Sequence, residues 1–255
     1  MIDIHCHILP GVDDGPEKTE ESILMAKEAV KEGIKTIIAT PHHRNNRYYN
    51  SKEEILKKVN KLNDELTEID IPLTILPGQE NRIFGELIED YRKGEILTLN
   101  NSDYLFIEFP TSSVPRYAEQ LLYDIQLEGL TPIIVHPERN KELLDNPTIL
   151  YNFIKNGALS QVTAASLCGY FGKSIQKYSK LLIEHNLTHF IASDAHNLRN
   201  RSFKFSQAFE IIQKEYGSEL FYFFVENAEL LSKGKIIEKD IPVPIMRRKK
   251  FLGVF

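Results

Sequence analysis

Short runs of β-branched and other apolar residues alternate along most of the chain with longer stretches whose apolar positions recur every three or four residues. That alternation predicts βα units around a parallel sheet. The expected strands cover residues 2–6, 35–40, 73–78, 104–109, 132–135, 159–163 and 190–193. Between the second and third, Ser51 and Glu54 stand at the spacing of a capping box. They open a helix on which Ile55, Leu56, Val59, Leu62, Leu66 and Ile69 recur at helical period. Gly33 and Gly94 fit the C-terminal stops of two further helices. The longest uncharged stretch, 156–172, contains Ser160, Gln161, Thr163 and Ser166. It falls short of the ~20 apolar residues of a membrane span and is expected to form a buried strand plus a loop.

Polar residues sharpen this picture, because almost every expected strand is followed at once by His, Asp or Glu. The strand-end positions are His5/His7, His42, Glu80, Glu108, His136, the ligand-poor Thr163 and Asp194/His196, successively 27 to 38 residues apart. A βα unit takes roughly 30 residues. In a parallel barrel all strand C-termini open onto one face, so these groups are expected to converge there. In an extended segment His5 and His7 point the same way and Cys6 the other. A lone His-x-His pair is more often two ordinary polar residues at a strand end, but a metal cluster becomes the better reading once the other strand ends supply further ligands.

Composition adds exclusions. The 255 residues are 42% hydrophobic and 26% charged, with 13 Gly and 12 Pro, which fits a globular chain and excludes a disordered or collagen-like one. No tandem repeat or Pro/Gly/Ser linker marks a second domain, so residues 1–255 are expected to form one domain with a basic and apolar tail at 246–255. Two cysteines are too few for a disulfide framework and suit a reducing compartment. The chain opens MIDIHCHILP, without the basic start and apolar run of a signal peptide, so a cytoplasmic location is expected. The net charge of −5 argues against a nucleic-acid partner, and nothing suggests a membrane-embedded protein.

The candidate ligands are imidazoles and carboxylates without thiolate, a set that suits Mn, Fe or Zn, with bridging carboxylates such as Glu80 or Asp194 between ions. Several cations in one pocket activate water and neutralise phosphoryl oxygens. The natural reaction is therefore phosphoester hydrolysis by in-line attack of a metal-bridging hydroxide on an anionic substrate.

The segments DIHCHILPGVDDGP, ATPHH, GQE, IEFP, VHPER and SDAH together resemble the motifs of the PHP (polymerase and histidinol phosphatase) family. More narrowly, they are similar to the manganese-dependent bacterial protein-tyrosine phosphatases of the CpsB/YwqE type, and the likeness covers almost the whole chain. The resemblance implies a distorted (β/α)7 TIM-like barrel with two or three Mn2+ ions. His5, His7, Glu80 and Asp194 would hold the first, Glu80, Glu108 and His136 the second, and Asp14, His42 and His196 the third. Asp14 comes from the resemblance alone. Read from the residues, it serves equally well as a turn residue capping the next helix, and Asp13 beside it is easily confused with it. The resemblance also implies a phosphotyrosyl protein substrate, a bacterial tyrosine kinase, in the regulation of polysaccharide synthesis.

Arginine's planar fork suits phosphate, and Arg139 and Arg201 lie on loops leaving the expected ligand face. The resemblance picks the same two as phosphate-binding or catalytic residues. Arg44, Arg47 and Arg199 are more simply solvated charges, and Tyr48 and Tyr49, which could stack on a substrate ring, more simply pack their loop. His43, His185 and His189 are expected to be structural. A cysteine-based phosphatase is excluded, since Val12 and Ser174 stand where Cys-x5-Arg requires arginine. The runner-up is a small-molecule phosphomonoesterase such as histidinol phosphatase. An amidohydrolase is weakened by Glu108, which stands where that class has a lysine. The RRKK run at 247–250, with Phe251 and Phe255, leaves room for a partner or a neighbouring subunit.

Overall fold

The computed structural model describes residues 1–246, so the 247–255 part of the basic tail lies outside the described residues. Its strands are β1 (Ile2–Cys6), β2 (Thr36–Ala39), β3 (His42–His43), β4 (Thr74–Pro77), β5 (Glu80–Arg82), β6 (Tyr104–Glu108), β7 (Thr131–Val135), β8 (Leu159–Thr163) and β9 (Phe190–Ala192). Every pairing among them is parallel, in the orders β1–β2–β4 and β3–β5–β6–β7–β8–β9.

These two sheets are one wall. β3 resumes β2 after Pro41, which has no amide hydrogen to donate to the ladder, while the Pro41 carbonyl accepts from Glu80 N at 3.0 Å. β5 resumes β4 after Gly78, where a Cβ would stand 2.8 Å from Ile38 Cγ2 and 3.1 Å from Thr40 Cγ2. A parallel bridge from Cys6 to Ala195 joins the end of β9 to β1 and closes seven staves into the expected distorted (β/α)7 barrel.

Helices cover the outside. The helix Lys52–Glu68 starts where the capping box predicts, with Ser51 Oγ accepting from Glu54 N at 3.3 Å, and it buries Ile55, Val59, Leu62 and Leu66. Leu56 is only partly buried, and Ile69, at the helix C-cap, is largely exposed. Helices Thr19–Lys31 and Leu87–Arg92 end just before Gly33 and Gly94, as expected. The stretch after β8, expected as a loop, begins with a short helix, Ala164–Leu167.

Alternation along the strands divides the core. Ile4, Ile38, Phe106, Ile133, Val135, Leu159 and Phe190 share one cluster inside the barrel. Leu105, Ile107, Ile134, Val162 and Ile191 belong to the layer between strands and helices. By strict alternation Cys6 would join Ile2 and Ile4 inside, yet it lies in the outer layer. The pairing of β1 with β2 shifts register between Asp3 and Cys6. That shift turns His5 and His7 to the inner face, with the His5 ring 5.0 Å from that of Phe106.

Candidate metal centre

His5 lies in β1 and His7 just beyond its end, with their Nε2 atoms 3.3 Å apart. Both face the same two carboxylate oxygens. Glu80 Oε2 lies 3.5 Å from His5 Nε2 and 3.2 Å from His7 Nε2, and Asp194 Oδ1 lies 3.5 and 3.3 Å from them. His42 Nδ1 approaches Glu80 Oε2 at 2.8 Å and Glu108 Oε2 at 3.7 Å. His42 Nε2 and His196 Nε2 approach Asp14 Oδ1 at 3.4 and 3.2 Å. Three groups offer ligand atoms that all lie within 4.8 Å of one another: His5, His7 and Glu80; His42, Glu80 and Glu108; and His7, Asp14, His42 and His196.

All nine residues singled out from the sequence thus meet on one face, with different sharing. His7 joins the group of Asp14, His42 and His196, and His42 stands in the compact group with Glu80 and Glu108. His136 instead meets the other oxygen of Glu80, its Nε2 lying 2.8 Å from Oε1. His42 Nδ1, Glu80 Oε2, Glu108 Oε2 and His196 Nε2 are buried without a hydrogen-bond partner, although they crowd together. Buried polar atoms are seldom left so, and imidazole and carboxylate are the donors a divalent ion requires, so these residues fit a metal cluster.

The adjacent aspartates have separate duties. Asp14 faces the cluster, whereas Asp13 turns back, with Oδ2 2.6 Å from His7 Nδ1 and accepting from His42 N at 3.1 Å. Asp13 Oδ1 accepts from Gly15 N at 2.9 Å. Gly15 permits this tight return, since a Cβ there would stand 2.3 Å from the His7 carbonyl oxygen. On the other side of the pair, Gln161 Oε1 lies 2.8 Å from His5 Nδ1.

Two candidate ligands sit on strained backbone, His136 at φ +35° and Asp194 at φ +51°. Their amides hold these turns, donating at 2.8 Å to Gln161 O and His5 O respectively. Asp3, buried beneath, accepts from Ser193 N at 2.9 Å and ties the end of β9 to β1. Burial raises the Asp3 carboxyl to about 6.

Burial and neighbouring charges also shift the candidate ligands. It pushes Glu108 up to about 7, helped by the Glu80 charge, and lowers His136 to about 3, helped by Arg139. His196 falls to about 4, again through burial first and the neighbouring His7 second. For Asp194 burial acts upward, but the guanidiniums of Arg139 and Arg201 outweigh it and hold the carboxyl well below its usual range. At His7 and His42 burial acts downward, but Asp13 and Glu80 respectively outweigh it and raise both imidazoles; metal, which binds neutral imidazoles and ionised carboxylates, would displace these protons and that of Glu108.

Arg139 Nη2 lies 2.6 Å from Asp194 Oδ2, and Arg201 reaches Asp194 Oδ2 at 3.1 Å and Asp14 Oδ2 at 3.2 Å. Both arginines line a cavity of about 230 Å³ together with His42, Glu108, Phe109 and His136. Arg82 reaches Glu108 Oε1 at 3.1 Å. Arg44 pairs with Asp90 and lies over the Phe84 ring, and Arg47 and Arg199 are exposed. Tyr48 lies parallel to the His42 ring at 6.2 Å, and Tyr49 packs on His43 at 4.8 Å. His43, His185 and His189 stand outside the cluster, with ring nitrogens engaged by Asn50 O, Leu181 O and Ser160 N.

A closed parallel barrel carrying a buried imidazole and carboxylate cluster at its strand ends defines the class of metal-binding barrel proteins. Within it, residues 1–232 match the family model described as capsular polysaccharide synthesis, CpsB/CapC, and the chain belongs to that family. It is 52% identical to tyrosine-protein phosphatase YwqE of Bacillus subtilis, over 98% of this chain and 99% of that protein. It is 44% identical to the putative tyrosine-protein phosphatase CapC of Staphylococcus aureus, over the full length of both. Among solved structures it superposes with a TM-score of 0.95 and 51% identity on a chain from the work on YwqE from Bacillus subtilis and CpsB from Streptococcus pneumoniae, described as metal-dependent tyrosine phosphatases. That match covers 97% of this chain and 100% of the other.

Proposed function

We propose that this chain is a metal-dependent protein-tyrosine phosphatase that hydrolyses phosphotyrosine in proteins. One observation carries the reading: buried, unpartnered atoms of His42, Glu80, Glu108 and His196 crowd together beside a small cavity that His42 and Glu108 line and two guanidiniums also enter. His5, His7, Glu80 and Asp194, then Glu80, Glu108 and His136, then Asp14, His42 and His196 are the proposed ligand sets. Bound there, two or three divalent ions, Mn2+ in our reading, would supply an activated water and neutralise phosphoryl oxygens.

The remaining work falls to the chain's own groups. Arg139 and Arg201 are the proposed phosphate-binding residues, since their planar donors can move from the carboxylate of Asp194 to phosphoryl oxygens. Asp194 pairs with both guanidiniums and so orients them together beside the cavity. Tyrosinate leaves with a pKa of about 10, so it needs less help from a general acid than an alkoxide does.

The substrate is proposed to be a bacterial tyrosine kinase, and the role to be regulation of polysaccharide synthesis, in keeping with the family's description. We read residues 1–255 as a single domain and place it in the cytoplasm, where its two free cysteines would stay reduced. Among the described residues no helix is long and apolar enough to cross a membrane. Assay of metal-stripped and Mn-restored protein on a phosphotyrosyl peptide and on histidinol phosphate tests the reading. Restored turnover with the peptide preferred is expected; a clear preference for histidinol phosphate would overturn it.

A further inference from the structure

A second cavity, of about 430 Å³, adjoins the metal centre and includes the cluster residues Asp14 and His196 in its wall. Its wall is mixed, with two exposed leucines set among polar and charged residues. Leu24 is 53% exposed and Leu198 41% exposed, and the buried Met25 lies beneath them. Leu24 comes from the helix Thr19–Lys31 but not from its buried face of Ser22, Met25, Ala26 and Ala29, so packing does not explain a leucine there.

Leu198 is held out by an ordered turn. Asn197 Oδ1 accepts from Arg199 N at 2.9 Å, from Asn200 N at 3.1 Å and from Arg201 N at 3.3 Å. The same turn therefore sends Arg201 into the metal centre and presents Leu198 at its rim. A polypeptide with its phosphotyrosine between Arg139 and Arg201 must continue across the mouth of the site on both sides. On this side it meets Leu24 and Leu198, in a wall that also carries Glu17, Glu21 and Arg199.

We propose that this groove docks the substrate polypeptide beside the phosphotyrosine and accepts a large aliphatic side chain there. The inference rests on the phosphotyrosyl-protein reading above and deepens it. Continuity with the centre through Asp14 and His196 is what assigns the groove to the substrate's own chain and not to an unrelated partner.

The test uses the Mn-loaded full chain, three substrates and the double variant Leu24→Ser, Leu198→Ser. The substrates are a phosphotyrosyl peptide flanked by leucines, the same peptide flanked by serines, and p-nitrophenyl phosphate. Wild type is expected to favour the leucine peptide by about tenfold in kcat/KM, through KM, and the double variant to lose that preference, as removal of buried leucine surface would require. Turnover of p-nitrophenyl phosphate should be unchanged, which separates docking from damage to the fold. Equal kcat/KM on the two peptides in wild type, or a preference that survives in the double variant, overturns the docking proposal alone. If wild type hydrolyses p-nitrophenyl phosphate but neither peptide, the phosphotyrosyl-protein reading fails and the docking proposal with it.

Discussion

Asp13 Oδ2 lies 2.6 Å from Nδ1 of His7, which leaves the His7 Nε2 atom free to face Glu80 and Asp194. The contact selects the tautomer whose lone pair points into the cluster. The same oxygen also takes the His42 amide, so one carboxylate orders two candidate ligands and aims Asp14 beside it.

Replacing Asp13 by Ala should therefore weaken metal binding by about 10- to 100-fold without unfolding the barrel. Asp13→Asn, which keeps an acceptor for one of these bonds, should lose less. Titration of the stripped protein with Mn2+, followed by calorimetry, measures both; identical affinities in Asp13→Ala and wild type would remove Asp13 from this role.

Metal should also stabilise the fold. Glu80, Glu108 and Asp194 are buried close together, and Glu80 Oε2 and Glu108 Oε2 lack hydrogen-bond partners. A ligand held only by the native state at 100 times its Kd contributes about 2.7 kcal/mol. For a chain of this size that raises Tm by on the order of 5–10 °C. Thermal unfolding with chelator and then with excess Mn2+ is the measurement, and coincident curves would contradict a native-state cluster.

Most of the barrel was legible because strand alternation and the 27-to-38-residue rhythm of strand-end polar groups are local signals. The register shift between Asp3 and Cys6 was not legible, since it depends on how β1 pairs with β2. Nor was the sharing of His7 and His42 between ligand groups, which only the barrel's curvature decides. The residues that hold the candidate ligands were the hardest to see. Gln161 lies within a strand whose C-terminal position, Thr163, looked poor in ligands, and Arg82 lies two residues beyond Glu80. Its place two residues after Leu159, on the inward side of that strand, was the available signal for Gln161. The choice between Asp13 and Asp14 needed the Gly15 turn, a contact of backbone with backbone that composition does not encode.

A pH dependence of stability follows from His189, which lies outside the cluster. Burial, aided by the Lys239 charge, lowers its imidazole to about 3. In the unfolded chain it takes a proton near 6.5. Between these values the unfolded state binds the extra proton, so stability is fully present above about 6.5 and is lost as pH falls toward 3. His189→Asn keeps an acceptor for Ser160 N, which approaches His189 Nδ1 at 3.2 Å, but cannot titrate. From pH 7 to pH 5 wild type should lose about 2 kcal/mol more stability than this variant. Urea unfolding of both at the two pH values decides, and equal losses would show that His189 titrates normally in the fold.

The arginines offer the most direct test of the proposed chemistry. Arg139 reaches Asp194 at 2.6 Å inside the cavity, whereas Arg44 pairs with Asp90 outside it. Lysine preserves charge in both places but replaces a planar fork with a point donor, which matters where two phosphoryl oxygens must be held together. Arg139→Lys should lower kcat/KM on a phosphotyrosyl peptide by on the order of 10²-fold, while Arg44→Lys should change it less than about twofold. The metal content of Arg139→Lys should match wild type, because Arg139 touches a proposed ligand without being one. Equal activity in the two variants would remove Arg139 from the phosphate site. Loss of metal together with activity in Arg139→Lys would make it a support for Asp194 instead.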